Sequence, residues 1–210
     1  MAEQPARSRL PLGLLILAAT VGVAIGLVLA LLRTPHTGVA DPAASLQAQA
    51  VWSAGQRPAP DVALRDNAGV KLSLRSLRGH VVLLTFLDSR CRRECPVEGR
   101  TLTDLQRQTA RTGAVLLVVS VDPWADTVRS VQSFATRAGW RGEWHWLLGT
   151  KQQLRPVWRA YDIAVKRTPA DVLHGTVLYV IDPRGDVRAG YLFPFAADPV
   201  AREVRRLSAA

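Results

Sequence analysis

Methionine is missing after Met1, and cysteine occurs only twice, at Cys91 and Cys95. The first absence excludes a thioether-rich soft-metal carrier. The second excludes a multi-disulfide framework and a four-cysteine zinc site. The chain also lacks an internal repeat, a lysine–arginine block and any basic strip interleaved with aromatics. Its formal charge of +10 therefore points to no nucleic acid and reads as a solvated surface of dispersed arginine.

One long apolar run is present. From Leu10 to Leu32 there is no charged side chain, a stretch of 23 residues that as a helix would span about 34 Å. Gly38-Val39-Ala40 offers a small-residue cleavage site, but the run exceeds the roughly 7–15 residues of a signal-peptide core, which favours an anchor. Arg7 and Arg9 outnumber Glu3 ahead of the span, so the charge bias keeps the N-terminus cytoplasmic. The expected organisation is a cytoplasmic segment 1–9, a membrane-spanning helix 10–32, a tether 33–56 and an extracytoplasmic domain 57–208. The tether is inferred from Ala, Pro, Gly, Gln and Ser.

Within the outer domain, strand-length apolar runs at 81–87, 114–121 and 176–181 suit central strands covered on both faces. Shorter strands are expected at Val62–Leu64 and Lys71–Leu74 around the Asp66–Gly69 turn. Val187–Tyr191 should return antiparallel to 176–181 after the Asp182–Gly185 turn. Helices are expected after Pro96, after Asp126 or Thr127, after Thr150 and over about Pro199–Leu207. Pro156 should kink or shorten the third. Strands alternating with helices give an α/β fold with a mixed sheet. Trp140, Trp144 and Trp146 read as core packing in preference to a docking surface.

The chemistry lies in Cys91-Arg92-Arg93-Glu94-Cys95-Pro96. Glu94 stands where a Cys-x-x-Cys exchanger would need its second cysteine. Asp88 and Leu84 replace the threonine and proline expected ahead of a peroxidatic cysteine. The three-residue gap can bring both sulfurs to one side of a single helical turn, as a pincer for a soft metal or a reducible disulfide. A structural staple is disfavoured because so short a loop stabilises little. Flanking arginines and a helix N-terminus favour thiolate. Of the four histidines, His36 lies in the tether and His80 before a strand, while His145 sits between two tryptophans. His174, just ahead of strand 176–181, is either an ordinary loop residue or a third ligand.

Taken together, these segments resemble the Sco/SenC family, the thioredoxin-fold copper proteins of cytochrome c oxidase assembly. The resemblance is carried by Asp66–Gly69 with Leu77-Arg78-Gly79, by Cys91–Pro96, by Ser120-Val121-Asp122-Pro123 with Asp126-Thr127, and by His174 ahead of Ile181-Asp182-Pro183. It implies a thioredoxin-like domain behind one membrane helix, with Cys91, Cys95 and His174 as ligands of copper, Cu(I) or Cu(II). It also implies delivery to the copper-bearing subunit of cytochrome c oxidase. The alternative is a thiol–disulfide oxidoreductase that uses the Cys91/Cys95 dithiol on a client. The chain departs from the family at Arg92, Val128 and Leu173. At 173 an acidic residue would orient the imidazole, and Asp171 is the nearest substitute.

Overall fold

A computed structural model describes residues 48–209. The segment 1–9, the expected span 10–32 and most of the tether lie outside the described residues. Among the described residues no helix is long and apolar enough to cross a membrane.

The three apolar runs form the middle of one sheet. Strands β1 (Ala50–Val51), β4 (Val82–Leu87), β5 (Val115–Ser120), β6 (Trp144–Leu147), β9 (Val177–Ile181) and β10 (Val187–Leu192) lie in the order β1-β10-β9-β4-β5-β6. Pairing is parallel for β4–β5 and β5–β6, and antiparallel for β4–β9, β9–β10 and β1–β10. β4, β5 and β9 are buried along their whole length, as continuous apolar strands should be when covered on both faces.

The covering helices are α1 (Cys95–Gln108), α2 (Val128–Ala138), α3 (Lys151–Ala160) and α4 (Ala197–Ser208). Alternate residues of each strand serve opposite layers. Val82, Leu84 and Phe86 join Leu154, Val157 and Trp158 of α3 in one cluster. Leu83 and Leu87 join Leu102 of α1, Phe134 of α2 and Val204 of α4 in the other. Thr85 shares the α1 face with Leu83 and Leu87, a polar residue within an apolar layer.

Several expectations are revised. Ala50–Val51, inside the segment read as tether, pair with β10, so ordered structure begins before residue 57. An edge strand of two residues rests on backbone hydrogen bonds and leaves no mark in composition. β6 was not foreseen in Trp144-His145-Trp146-Leu147. Its Trp146 is fully buried and meets Phe134 edge-on, with the ring centroids 5.3 Å apart, so the tryptophans do pack as core. Pro156 leaves α3 intact from Lys151 to Ala160. The cost is one unmade bond to the carbonyl of Gln152, on a turn exposed to water. Thr127 caps α2 with its side chain accepting from the Ser130 amide, which leaves Asp126 free for another task.

Two small hairpins complete the chain. β2 (Ala63–Arg65) pairs with β3 (Lys71–Ser73), and β7 (Val165–Arg167) pairs with β8 (Val172–His174). The second hairpin places His174, opposite Val165.

Candidate metal centre

Strand β4 delivers the cysteine loop at its C-terminal end. Asp88 is the hinge: its Oδ1 accepts the Arg90 amide at 2.6 Å, and its carbonyl accepts the Cys91 amide at 3.4 Å. The next residue, Ser89, is tied to β5 through Asp126. The Ser89 amide donates to Asp126 Oδ1 at 2.9 Å, and Ser120 donates to Oδ2 at 2.5 Å. The Ser-Val-Asp-Pro segment thus fixes the root of the loop that carries Cys91. Burial holds the Asp126 carboxyl up at about 7 and the Asp88 carboxyl up at about 6.

Cys91 lies in this loop, outside any helix, and Cys95 is the first residue of α1. The sulfurs therefore meet across a turn and not within one helical turn, as the spacing alone suggested. Both are free thiols, Cys91 half-buried and Cys95 buried. Their environments drive them apart. The Cys95 thiol donates to Cys91, and the amides of Arg93, Cys95 and Glu94 also point at that sulfur. Together they lower Cys91 to about 5 despite partial burial. The same hydrogen bond, together with burial, raises Cys95 well above an ordinary thiol. These surroundings favour the thiolate at Cys91 and the thiol at Cys95.

His174 reaches this pair from the second hairpin. Its Nε2 lies 3.7 Å from Cys95 Sγ, although 79 residues separate them. Nδ1 lies 3.0 Å from the carbonyl of Gly175, which accepts only if Nδ1 carries the proton. That tautomer leaves the Nε2 lone pair facing the sulfur. Asp171 does not take the place of an acid at 173, since the Nδ1 of His174 is engaged by the Gly175 carbonyl while Asp171 Oδ1 accepts the amide of Val172. Among the described residues no three or more His, Cys, Asp or Glu side chains stand ready-assembled as a metal cage. The Cys95–His174 contact is made, and Cys91 lies against Cys95 on the more exposed side.

Sequence reasoning missed the layer beneath. Glu98, one turn after Cys95, is wholly buried, and burial pushes its carboxyl up to about 8. Thr85 Oγ1 lies 2.6 Å from Glu98 Oε1 and 3.1 Å from the carbonyl of Val177. One hydroxyl hydrogen cannot serve both oxygens. A protonated Glu98 can donate to Thr85 while Thr85 donates to Val177. This link joins α1 below Cys95 to the strand that follows His174. A lone threonine in an apolar strand was the available signal. The other histidines serve elsewhere: His145 Nδ1 lies 2.9 Å from Asp66, and His80 Nδ1 lies 3.1 Å from the carbonyl of Gly113.

Alkylation separates the two sulfurs. Iodoacetamide should modify Cys91 alone in the native reduced protein, with a rate that rises through about pH 5 and is flat above pH 7. Cys95→Ala removes the donor and should move that midpoint up towards the ordinary thiol value of about 8.5. Mass mapping of the adduct together with the rate profile checks this, and equal labelling of both cysteines would contradict it.

Comparison with known proteins bears on the family and the fold. A family model described as SCO1/SenC matches residues 54–209. The chain is 28% identical over 130 residues to the SCO1 protein homolog of Bacillus subtilis (strain 168), covering 59% of this chain and 67% of that protein. It is 30% identical over 164 residues to the mitochondrial SCO2 homolog of Bos taurus, covering 71% of this chain but only 59% of the bovine protein. The crystal structure of Arabidopsis thaliana ScoI with copper bound superposes with a TM-score of 0.63 at 23% identity, over 70% of this chain and 98% of that one. At that identity the likeness concerns the fold, the thioredoxin-like arrangement expected from the sequence.

Proposed function

The chain belongs to the SCO1/SenC family, and from that premise we propose that it is a membrane-anchored, extracytoplasmic copper carrier that holds its cargo through Cys91, Cys95 and His174. It passes the ion to the binuclear copper centre of a cytochrome c oxidase subunit. The observation that carries this reading is the approach of His174 Nε2 to Cys95 Sγ at 3.7 Å, with Nδ1 already engaged by the Gly175 carbonyl. Two sulfurs and one nitrogen suit Cu(I), and the nitrogen also makes room for Cu(II). With Cys91 already a thiolate, binding needs to displace a proton only from Cys95.

The test is anaerobic titration of the reduced full chain with Cu(I) and with Cu(II), the latter read by thiolate-to-copper absorption and paramagnetic resonance. One equivalent should bind, and prior oxidation to the Cys91–Cys95 disulfide should abolish uptake, because neither disulfide sulfur is an anionic donor. Failure of the reduced chain to bind either ion would reject the carrier role.

One observation favours a second reading, the contrast between a half-buried Cys91, faced by three backbone amides that favour its thiolate, and a buried Cys95. A dithiol reductant needs that asymmetry. The Cys91 thiolate attacks a client disulfide, forming a mixed disulfide and releasing one client thiolate. Cys95 then loses its proton and attacks Cys91, freeing the second client thiolate and leaving the Cys91–Cys95 disulfide. The client gains two electrons and the dithiol loses two.

A further inference from the structure

Cys91 also borders an open trough of about 570 Å³ that neither Cys95 nor His174 lines. Its walls carry four guanidinium groups, Arg90 and Arg92 from the cysteine loop and Arg129 and Arg137 from α2. Arg129, Ser133 and Arg137 recur every fourth residue, so they form one stripe along α2, about 12 Å from end to end. All four arginines are exposed. Among the described residues none is ion-paired, the salt bridges of this domain lying elsewhere.

Two carboxylates at the root of the cysteine loop are already committed, and Glu94 in the loop itself is exposed and ion-pairs with none of the four arginines. Asp126 is held by Ser89 and Ser120, and Asp88 by the Arg90 amide. Gathering four unneutralised cations around one concavity is unfavourable for the isolated domain. Guanidinium forks recognise carboxylates in pairs. An extended chain advances about 3.3 Å per residue, so a stripe of about 12 Å matches a run of roughly four residues and not a single small anion.

We propose that this trough seats an extended acidic segment of the client polypeptide, its carboxylates paired with Arg129 and Arg137 so that the client's own donor groups arrive beside Cys91. The proposal rests on the carrier reading for what the client is, but the binding itself does not require copper. Charge complementarity of this kind steers encounter and fixes orientation. It also places the approach on the exposed side of the pair, where Cys91 is reached before Cys95.

The test uses the full chain in neutral detergent and two rhodamine-labelled peptides, one alternating Glu with Ser and one alternating Gln with Ser. Anisotropy should show the Glu peptide binding at least about ten-fold tighter than the Gln peptide, with the difference shrinking as salt rises. Arg129→Glu with Arg137→Glu should lose that preference. Arg155→Glu with Arg159→Glu, on α3 across the sheet, changes net charge equally and should keep it within about two-fold. Equal loss in both double variants, or no preference in the unmodified chain, would overturn the proposal. So would retained peptide preference alongside lost binding to phosphatidylglycerol vesicles, because the stripe would then face a membrane. Copper titration of the same samples keeps the readings apart: uptake without peptide binding sinks the trough alone, and peptide binding without uptake sinks the carrier alone.

Discussion

Replacing His174 by alanine should lower the copper affinity of the reduced chain by more than about 100-fold, beyond the 10–100-fold typical of losing a residue that merely supports a ligand. The imidazole is held on a hairpin of only three residues per strand, β7 and β8, and is locked into one tautomer by the Gly175 carbonyl. Its Nε2 meets Cys95 Sγ at 3.7 Å. The low value at Cys91 comes from Cys95 and three backbone amides, so His174→Ala should leave the Cys91 alkylation profile unchanged while copper affinity collapses. Competition against a chelator of known affinity measures the first quantity, and iodoacetamide kinetics the second. An affinity within about three-fold of the unmodified chain would remove His174 from the ligand set. A shifted alkylation profile would mean that the substitution disturbed the loop.

The second large effect concerns stability. Between pH 5 and pH 8 the unmodified protein should lose about 3 kcal/mol relative to Glu98→Gln, because Glu98 is raised from 4.5 to about 8 in the fold. The folded state prefers the neutral acid. Its contribution is complete below about pH 4.5 and is withdrawn as pH climbs through 8. A glutamine has no proton to lose, so the pH-dependent part vanishes in the variant. The difference between the two proteins is the quantity to measure, since Cys91 acts with the opposite sign. Its lowered value adds stability above the ordinary thiol range that is lost as pH falls through about 5, and most of this contribution is common to both proteins, the Cys91–Glu98 repulsion being the part that differs. Glu98 Oε2 has no hydrogen-bond partner among the described residues, so the amide that replaces it adds only a constant offset. Urea unfolding of both proteins under reducing conditions at the two pH values gives the result directly. Parallel behaviour would mean that Glu98 is ionised throughout and that Thr85 is its donor.

Such a group could not be found by reading the chain. Glu98 lies in a helix with ordinary spacing and looks like a solvated face residue. Its fate depends on α1 turning that position onto Thr85, which belongs to a strand 13 residues earlier. Asp126 is similar: its sequence position suits a helix cap, but Thr127 takes that role and Asp126 reaches back 37 residues to Ser89. The hairpin β7–β8 was invisible because three-residue strands with mostly exposed side chains show no alternation long enough to register. Leu173, 55% exposed beside His174, reads as a core residue in composition and is not one.

What the linear chain determined was set by chemistry that is local or periodic. Apolar runs of strand length specified the central strands, because burial on both faces leaves no room for polar alternation. Proline after Cys95 marked the start of a helix, and the spacing of Cys91 and Cys95 specified a reactive pair. Only the folded chain decided which cysteine is the thiolate, since that depends on where three amides and one thiol point. It alone set His174 beside Cys95 and drew arginines from α2 to the edge of Cys91. Charge state and ligand choice follow distances of a few ångströms between residues remote in sequence, and such distances exist only once the layers have packed.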